Sequence, residues 1–289
     1  MLSQFINQVM QYQFLQQALL VSIVVGIVCG VVGCFIVLRG MALMGDAISH
    51  AILPGVAISY MLDINYFYGA AVVGVLAALG ITFVKQNSTI KGDSAIGIIF
   101  SAFFALGVLL VTKLQTATDL TSILFGNVLT VQPMDRYLTF IISGLVLLFV
   151  ALFYKELKLT SFDPVMAEAS GLPVKMIHYA LMIMLTLVTV ISLQTVGVIL
   201  VVSLLITPAS TAYLLTDRLP RMLAIAVLIG VFSTSTGLMI SEAYNLPSGV
   251  VMVLVVTVIF LLVFFLAPKK GLVWQYLKKD KEQEQVKEQ

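Results

Sequence analysis

The chain has 289 residues, 60% of them hydrophobic and only 10% charged, with a formal net charge of +2 and a mean hydropathy of +1.08. That composition excludes a soluble domain, and repeated apolar stretches near about twenty residues mark a polytopic membrane protein. The net charge excludes nothing by itself, because in such a protein the position of the charges informs more than their sum.

Residues 1–16 are polar and amphipathic, without a positively charged start before a short apolar core, so a cleaved signal peptide is not expected. They read as an interfacial helix resting on the bilayer. The first apolar run, 17–38, carries Gly26, Gly30 and Gly33, and Gly26-x-x-x-Gly30 allows a neighbouring helix to approach closely. Cys29 and Cys34, in the same run, read as small packing residues rather than a disulfide or a metal pair.

The second run, 43–61, follows Arg39 and contains Asp46 and His50. Ionisable groups inside a span cost at least about 2.5–3.5 kcal/mol on insertion scales, which makes them functional candidates by default. Their spacing of four stacks them on one helical face. Carboxylate oxygen with imidazole nitrogen is a ligand set for manganese, zinc or iron. Pro54 removes the N–H that would pair with the His50 carbonyl, and Gly45 and Gly55 let other backbone come near. One chain supplies only two such ligands, whereas a two-fold homodimer with this helix at its axis supplies two Asp and two His. The competing reading is a buried ion pair that fixes helix packing. Met41 and Met44 lie on the approach and read as packing residues, or as gate residues together with Pro54.

Runs at 67–84, 94–112 and 137–154 follow, with 117–133 apolar enough to dip into the membrane. Next comes Ser161-Phe-Asp163-Pro-Val-Met-Ala-Glu-Ala-Ser-Gly171-Leu-Pro173. Asp163 reads as N-cap, Pro164 as first helical residue, and Gly171 as the residue past the end, with Pro173 enforcing the stop. A helix of about two turns is marginal alone and needs something to pack on, which a cytosolic partner provides. An interfacial loop helix without a partner is the alternative.

Runs at 176–193 and 195–215 meet at Gln194-Thr195 with hardly a loop. Thr207, Ser210 and Thr211 around Pro208 form the small-polar pattern that re-satisfies backbone at a kink. The last runs are 221–240 and 248–267. Glu242 between them reads as a solvated carboxylate in an outer loop, and His178 as structural. The organisation expected is an amphipathic segment 1–16, a permease domain 17–267 and a charged tail 268–289 without assigned function. There are nine candidate runs, and no internal repeat is evident.

With nine spans and a cytosolic C-terminus, fourteen basic residues fall inside and only Lys113 and Arg136 outside, a strong positive-inside signal. The chain has no Gly-x-x-x-x-Gly-Lys-Ser/Thr loop, so it cannot hydrolyse ATP by that mechanism. It also has no His-Glu-x-x-His, and its two histidines are far apart in sequence, which argues against a zinc hydrolase.

The run Leu38–Gly55 resembles the most characteristic motif of the metal-cation ABC importer permeases, which carry manganese, zinc or iron. The resemblance continues through Asp93-Ser-Ala-Ile-Gly-Ile, Leu124-Phe-Gly-Asn-Val, Ser161-Phe-Asp-Pro and Leu205-Ile-Thr-Pro-Ala-Ser-Thr-Ala212, in order over nearly the whole chain. Its details are similar to the streptococcal-type manganese permeases, with Ser210 where relatives often carry alanine. The resemblance implies an all-α polytopic protein of about 8–9 transmembrane helices, of the type II importer kind, in the plasma membrane. It implies a homodimer bound to two cytosolic ATPase subunits and supplied by an extracytoplasmic metal-binding protein, with no nucleic-acid partner and no permanent cofactor. Transported Mn2+ is the first expectation for the cargo, zinc or iron the alternative, and ATP is used by the partner. Asp46 and His50 then lie on the translocation path, where protonation of His50 eases release. The stretch Asp163, Pro164, Glu168, Ala169, Gly171 corresponds to the coupling helix that docks on the ATPase. An ion-coupled secondary transporter is the main rival, although it needs further midplane carboxylates that this chain lacks; a membrane-embedded enzyme is the other.

Overall fold

The structure is a computed structural model that describes residues 9–114 and 131–267. Its elements are all helical: α1 (Gln13–Leu38), α2 (Leu43–Ala51), α3 (Leu53–Met61), α4 (Tyr66–Asn87), α5 (Gly92–Leu114), α6 (Pro133–Leu152), α7 (Tyr154–Phe162), α8 (Pro164–Ala169), α9 (Val174–Val196), α10 (Val198–Leu215), α11 (Leu219–Tyr244) and α12 (Ser248–Leu266). Among the described residues, eight helices are long and apolar enough to cross a membrane. In hydrocarbon every backbone polar group needs an internal partner, and helices supply one within the segment itself.

The expected span 43–61 is not one helix. It is divided into α2 and α3, nine residues each, at Ile52. Pro54 lies in the first turn of α3 and cannot donate to the carbonyl one turn back, which interrupts the ladder there. The backbone nevertheless stays helical at Ile52 (φ −77°, ψ −9°), with Ile52 N–H bonded to Ile48 O and Val56 N–H to Ile52 O. Together α2 and α3 cover about 28 Å at 1.5 Å per residue, close to a hydrocarbon core.

Two groups of helices share a core. In one, α1 packs on α10 and α11, and α12 closes against both of these. In the other, α4 lies against α3 and α9, while α5 covers α2 and α3. Helices α6 and α9 join the groups through α1. Backbone proximity holds them, since apolar burial drives little association within lipid. A Cβ on Gly26 would lie 3.0 Å from Gly230 C and O, and one on Gly30 3.1 Å from Ala226 O, so the glycines of α1 bring α11 into backbone contact. Gly55 meets Gly69 in the same way between α3 and α4, and Gly69 N–H donates to Ser59 Oγ at 3.1 Å. Cys29 and Cys34 are free and buried in these interfaces, as packing residues are.

Helices α9 and α10 meet at one residue, Gly197, whose φ of +86° is open to glycine and strained for others. Pro208 lies inside α10 and leaves the Leu204 carbonyl without its usual donor; Thr211 Oγ1 donates to Thr207 O at 2.7 Å beside it. Glu242 belongs to the last turn of α11 rather than to a loop, because that helix continues to Tyr244 before Asn245 ends it in the left-handed region. The expectations for the tail and for most of 117–133 lie outside the described residues.

Candidate metal site and cytoplasmic helix

The turn that leads into the site is built by sequence. Helix α1 ends in a Schellman motif: Met41 N–H donates to Ile36 O at 3.0 Å, Gly40 N–H to Val37 O at 3.1 Å, and Gly40 takes a φ of +64°. Helix α2 starts two residues later with Asp46 in its first turn and His50 in its last, the ends at which the helix dipole favours an anion and a cation respectively.

Asp46 Oδ1 and His50 Nε2 stand 3.6 Å apart, beyond hydrogen-bond range. Their side chains are 51% and 27% exposed, which places them on an open face of this chain. His50 is bounded by Phe100 and Phe104 of α5, with ring centroids at 6.0 and 5.9 Å. These two aromatics, stacked on each other at 5.7 Å, flank His50 and were not singled out from the sequence; their spacing of four within 94–112 was the available signal. No group of three or more His, Cys, Asp or Glu that could hold a metal occurs among the described residues. One chain therefore brings one carboxylate and one imidazole together.

Met44 and Met41 are buried in the core, at 2% and 4%. They line a small cavity with Ile81, Thr82, Lys85, Ile96 and His178. Pro54 is buried where α5 crosses; a Cβ on Gly107 would lie 2.9 Å from its ring, so glycine permits that crossing.

The short helix α8 has the ends its residues encode. Asp163 Oδ1 accepts from Met166 N–H at 2.9 Å, and Pro164 occupies the first turn. Gly171 (φ +80°) donates to Glu168 O at 3.0 Å and Leu172 N–H to Ala167 O at 3.1 Å, a second Schellman motif. Only Ala167 is buried; Phe162, Val165 and Met166 are exposed, with Val165 at 77%. Asp163, Pro164, Glu168, Ala169 and Gly171 are all exposed along this segment.

A further cluster ties the two regions. Arg39 Nη2 donates to Thr160 Oγ1 at 2.7 Å and Nε to Ser161 Oγ at 3.0 Å, while Nη1 lies 3.2 Å from His178 Nδ1. Burial pushes the guanidinium down to about 10, which leaves it charged at neutral pH.

The ABC 3 transport family matches residues 11–267. The chain belongs to that family. Over 270 residues it is 60% identical to the Manganese transport system membrane protein MntC of Listeria monocytogenes, covering 93% of this chain and 96% of the relative. It is 50% identical to the Manganese import system permease protein ScaB of Streptococcus gordonii, over 96% of this chain and 99% of that one. Among solved structures, PsaBC from Streptococcus pneumoniae in complex with Fab superposes with a TM-score of 0.86 at 49% identity, covering 97% of this chain and 100% of the other. This ABC 3 member is thus a multi-pass membrane protein with the all-α permease fold that its sequence led one to expect.

Proposed function

We infer that the chain is the transmembrane permease subunit of an ATP-driven importer of divalent transition metal, manganese ahead of zinc or iron. The observation that carries this is the open Asp46–His50 face on the divided span of a chain so similar to manganese permeases. Two chains meet with these faces toward a shared axis, so that two carboxylates and two imidazoles surround the ion. Few ligands of mixed type hold a metal without trapping it, as transport requires. Pro54 keeps the ligand helix divided, and Met41 and Met44 fill the cytoplasmic side that yields as the ion passes.

Two cytosolic ATPase subunits supply the energy, and an extracytoplasmic metal-binding protein delivers the ion. The exposed apolar residues of α8, capped by Asp163 and Gly171, form the surface that docks on the ATPase. ATP binding there favours one permease state over the other, and differential affinity for two states is what any such coupling needs.

Elemental analysis of cells that carry the wild type, His50→Ala or a deletion of the gene tests the reading. A manganese deficit in both mutants supports it. A zinc or iron deficit retains the importer and changes the cargo. No deficit in the deletion, with redundant importers removed, overturns it. Co-purification of an ATPase with the chain separates it from a secondary transporter.

A further inference from the structure

Arg39 is half-buried, and its guanidinium meets two hydroxyls and an imidazole. It lies at the end of α1, two of its acceptors are on the last turn of α7, and the third is His178 on α9. The hydroxyls cannot be swapped for other arrangements. Thr160 Oγ1 donates its proton to Glu156 O at 2.8 Å and Ser161 Oγ donates to Leu157 O at 2.6 Å. Each is left with lone pairs only, and a cationic fork fills them. The imidazole of His178, facing the guanidinium through Nδ1, completes the set as an acceptor.

The positions of these partners matter more than their number. Ser161 is two residues before Asp163, the N-cap of α8, and Thr160 is three before it. On the other side, Gly40, Met41 and Ala42 join Arg39 to α2, whose first turn holds Asp46. Gly40, at φ +64°, donates to Val37 O and Met41 donates to Ile36 O, so the segment between Arg39 and α2 is a short braced turn. Neither α7 nor α8 reaches α2 directly by covalent chain; residues 160 and 39 are 121 apart in sequence. Helix α9 packs against α7, α8 and α2 as well, and Arg39 adds to that packing a directed polar link between the entry turn of α2 and the end of α7.

We propose that Arg39 is the clamp that transmits displacement of the α7–α8 segment to the ligand helix α2, so that ATPase movement is converted into movement of Asp46 and His50. The clamp rests on the importer reading above and adds a positioning residue to it. Arg39 touches no cargo. It acts by holding the α2 entry turn and the α7 terminus as one body, and a fork of three charge-assisted bonds is stiff enough to do so.

The test uses the complete importer, permease with its ATPase and metal-binding protein, in proteoliposomes, with manganese uptake and ATP hydrolysis read in the same sample. In Arg39→Gln, and in a Thr160→Val/Ser161→Ala double variant that removes the two hydroxyl acceptors on α7 and leaves Arg39 in place, uptake per ATP hydrolysed falls by about tenfold, the scale of a lost coupling energy. Hydrolysis stays within about twofold and the subunits co-purify at the wild-type ratio. Arg39→Lys gives an intermediate ratio, since one ammonium cannot span all three acceptors. An unchanged ratio in the acceptor variant overturns the clamp, whether or not Arg39→Gln assembles. A merely structural role lowers uptake and hydrolysis together and leaves the ratio alone, which also overturns it. Absence of ATP-driven uptake in the wild type overturns the importer reading instead.

Discussion

In the proposed importer, Asp46 and His50 act as a pair of ligands because of what they lack. At 3.6 Å they do not satisfy each other, and their exposure leaves oxygen and nitrogen lone pairs free for a cation. Replacement of either by alanine removes a ligand without opening a core cavity, since neither is buried in it. Uptake in Asp46→Ala and in His50→Ala is therefore expected to fall to the level of an empty-vector control, while the ATPase still co-purifies. Loss of assembly in both would return the pair to a packing role. The aromatic wall of Phe100 and Phe104 invites a separate variant. Phe104→Ala removes the edge-on neighbour of His50, and uptake in that variant should fall less than in His50→Ala, because no ligand is lost.

Helix contacts in this protein are made by what glycine omits. A side chain on Gly26 meets the backbone of Gly230, which cannot step aside, so Gly26→Leu overpacks the α1–α11 interface and costs about 1–3 kcal/mol. A lowered midpoint of thermal unfolding in detergent checks this; an unchanged midpoint would mean that the two helices do not touch there. Helix α8 depends on its caps instead. Asp163→Ala removes the acceptor for Met166 N–H and costs the helix about 1 kcal/mol. The expected result is reduced recovery of the ATPase with the permease, with metal binding untouched. These caps were legible because N-cap, first-turn proline and C′ glycine act within a few residues. The break at Ile52 was half legible: Pro54 announced a lost bond, while whether the span bends, divides or continues depended on neighbours such as Gly107 and Gly69.

At the scale of the whole molecule, one chain gives one carboxylate and one imidazole, and no third ligand joins them among the described residues. A shared site between two copies predicts about half a manganese ion per chain in the purified complex, with the same donor set from both copies. Metal content near one per chain, halved in a mixed complex with one His50→Ala copy, would argue that each chain binds alone. The least buried of the long helices is α5, which also carries the aromatic wall beside the ligands.

Local and periodic features were decided by the sequence: the apolar runs, the positive-inside asymmetry, the i, i+4 spacing of Asp46 and His50, and both ends of α8. Each depends on residues within one or two helical turns, or on the contrast between lipid and water, and neither needs knowledge of the fold. Only tertiary structure decided which groups meet across the chain. Arg39 reaches Thr160, Ser161 and His178 over more than a hundred residues of sequence, and Phe100 and Phe104 reach His50 from a different span. Glycine contacts set those meetings by fixing how closely helices approach, and no periodicity along a single helix records which neighbour it will find.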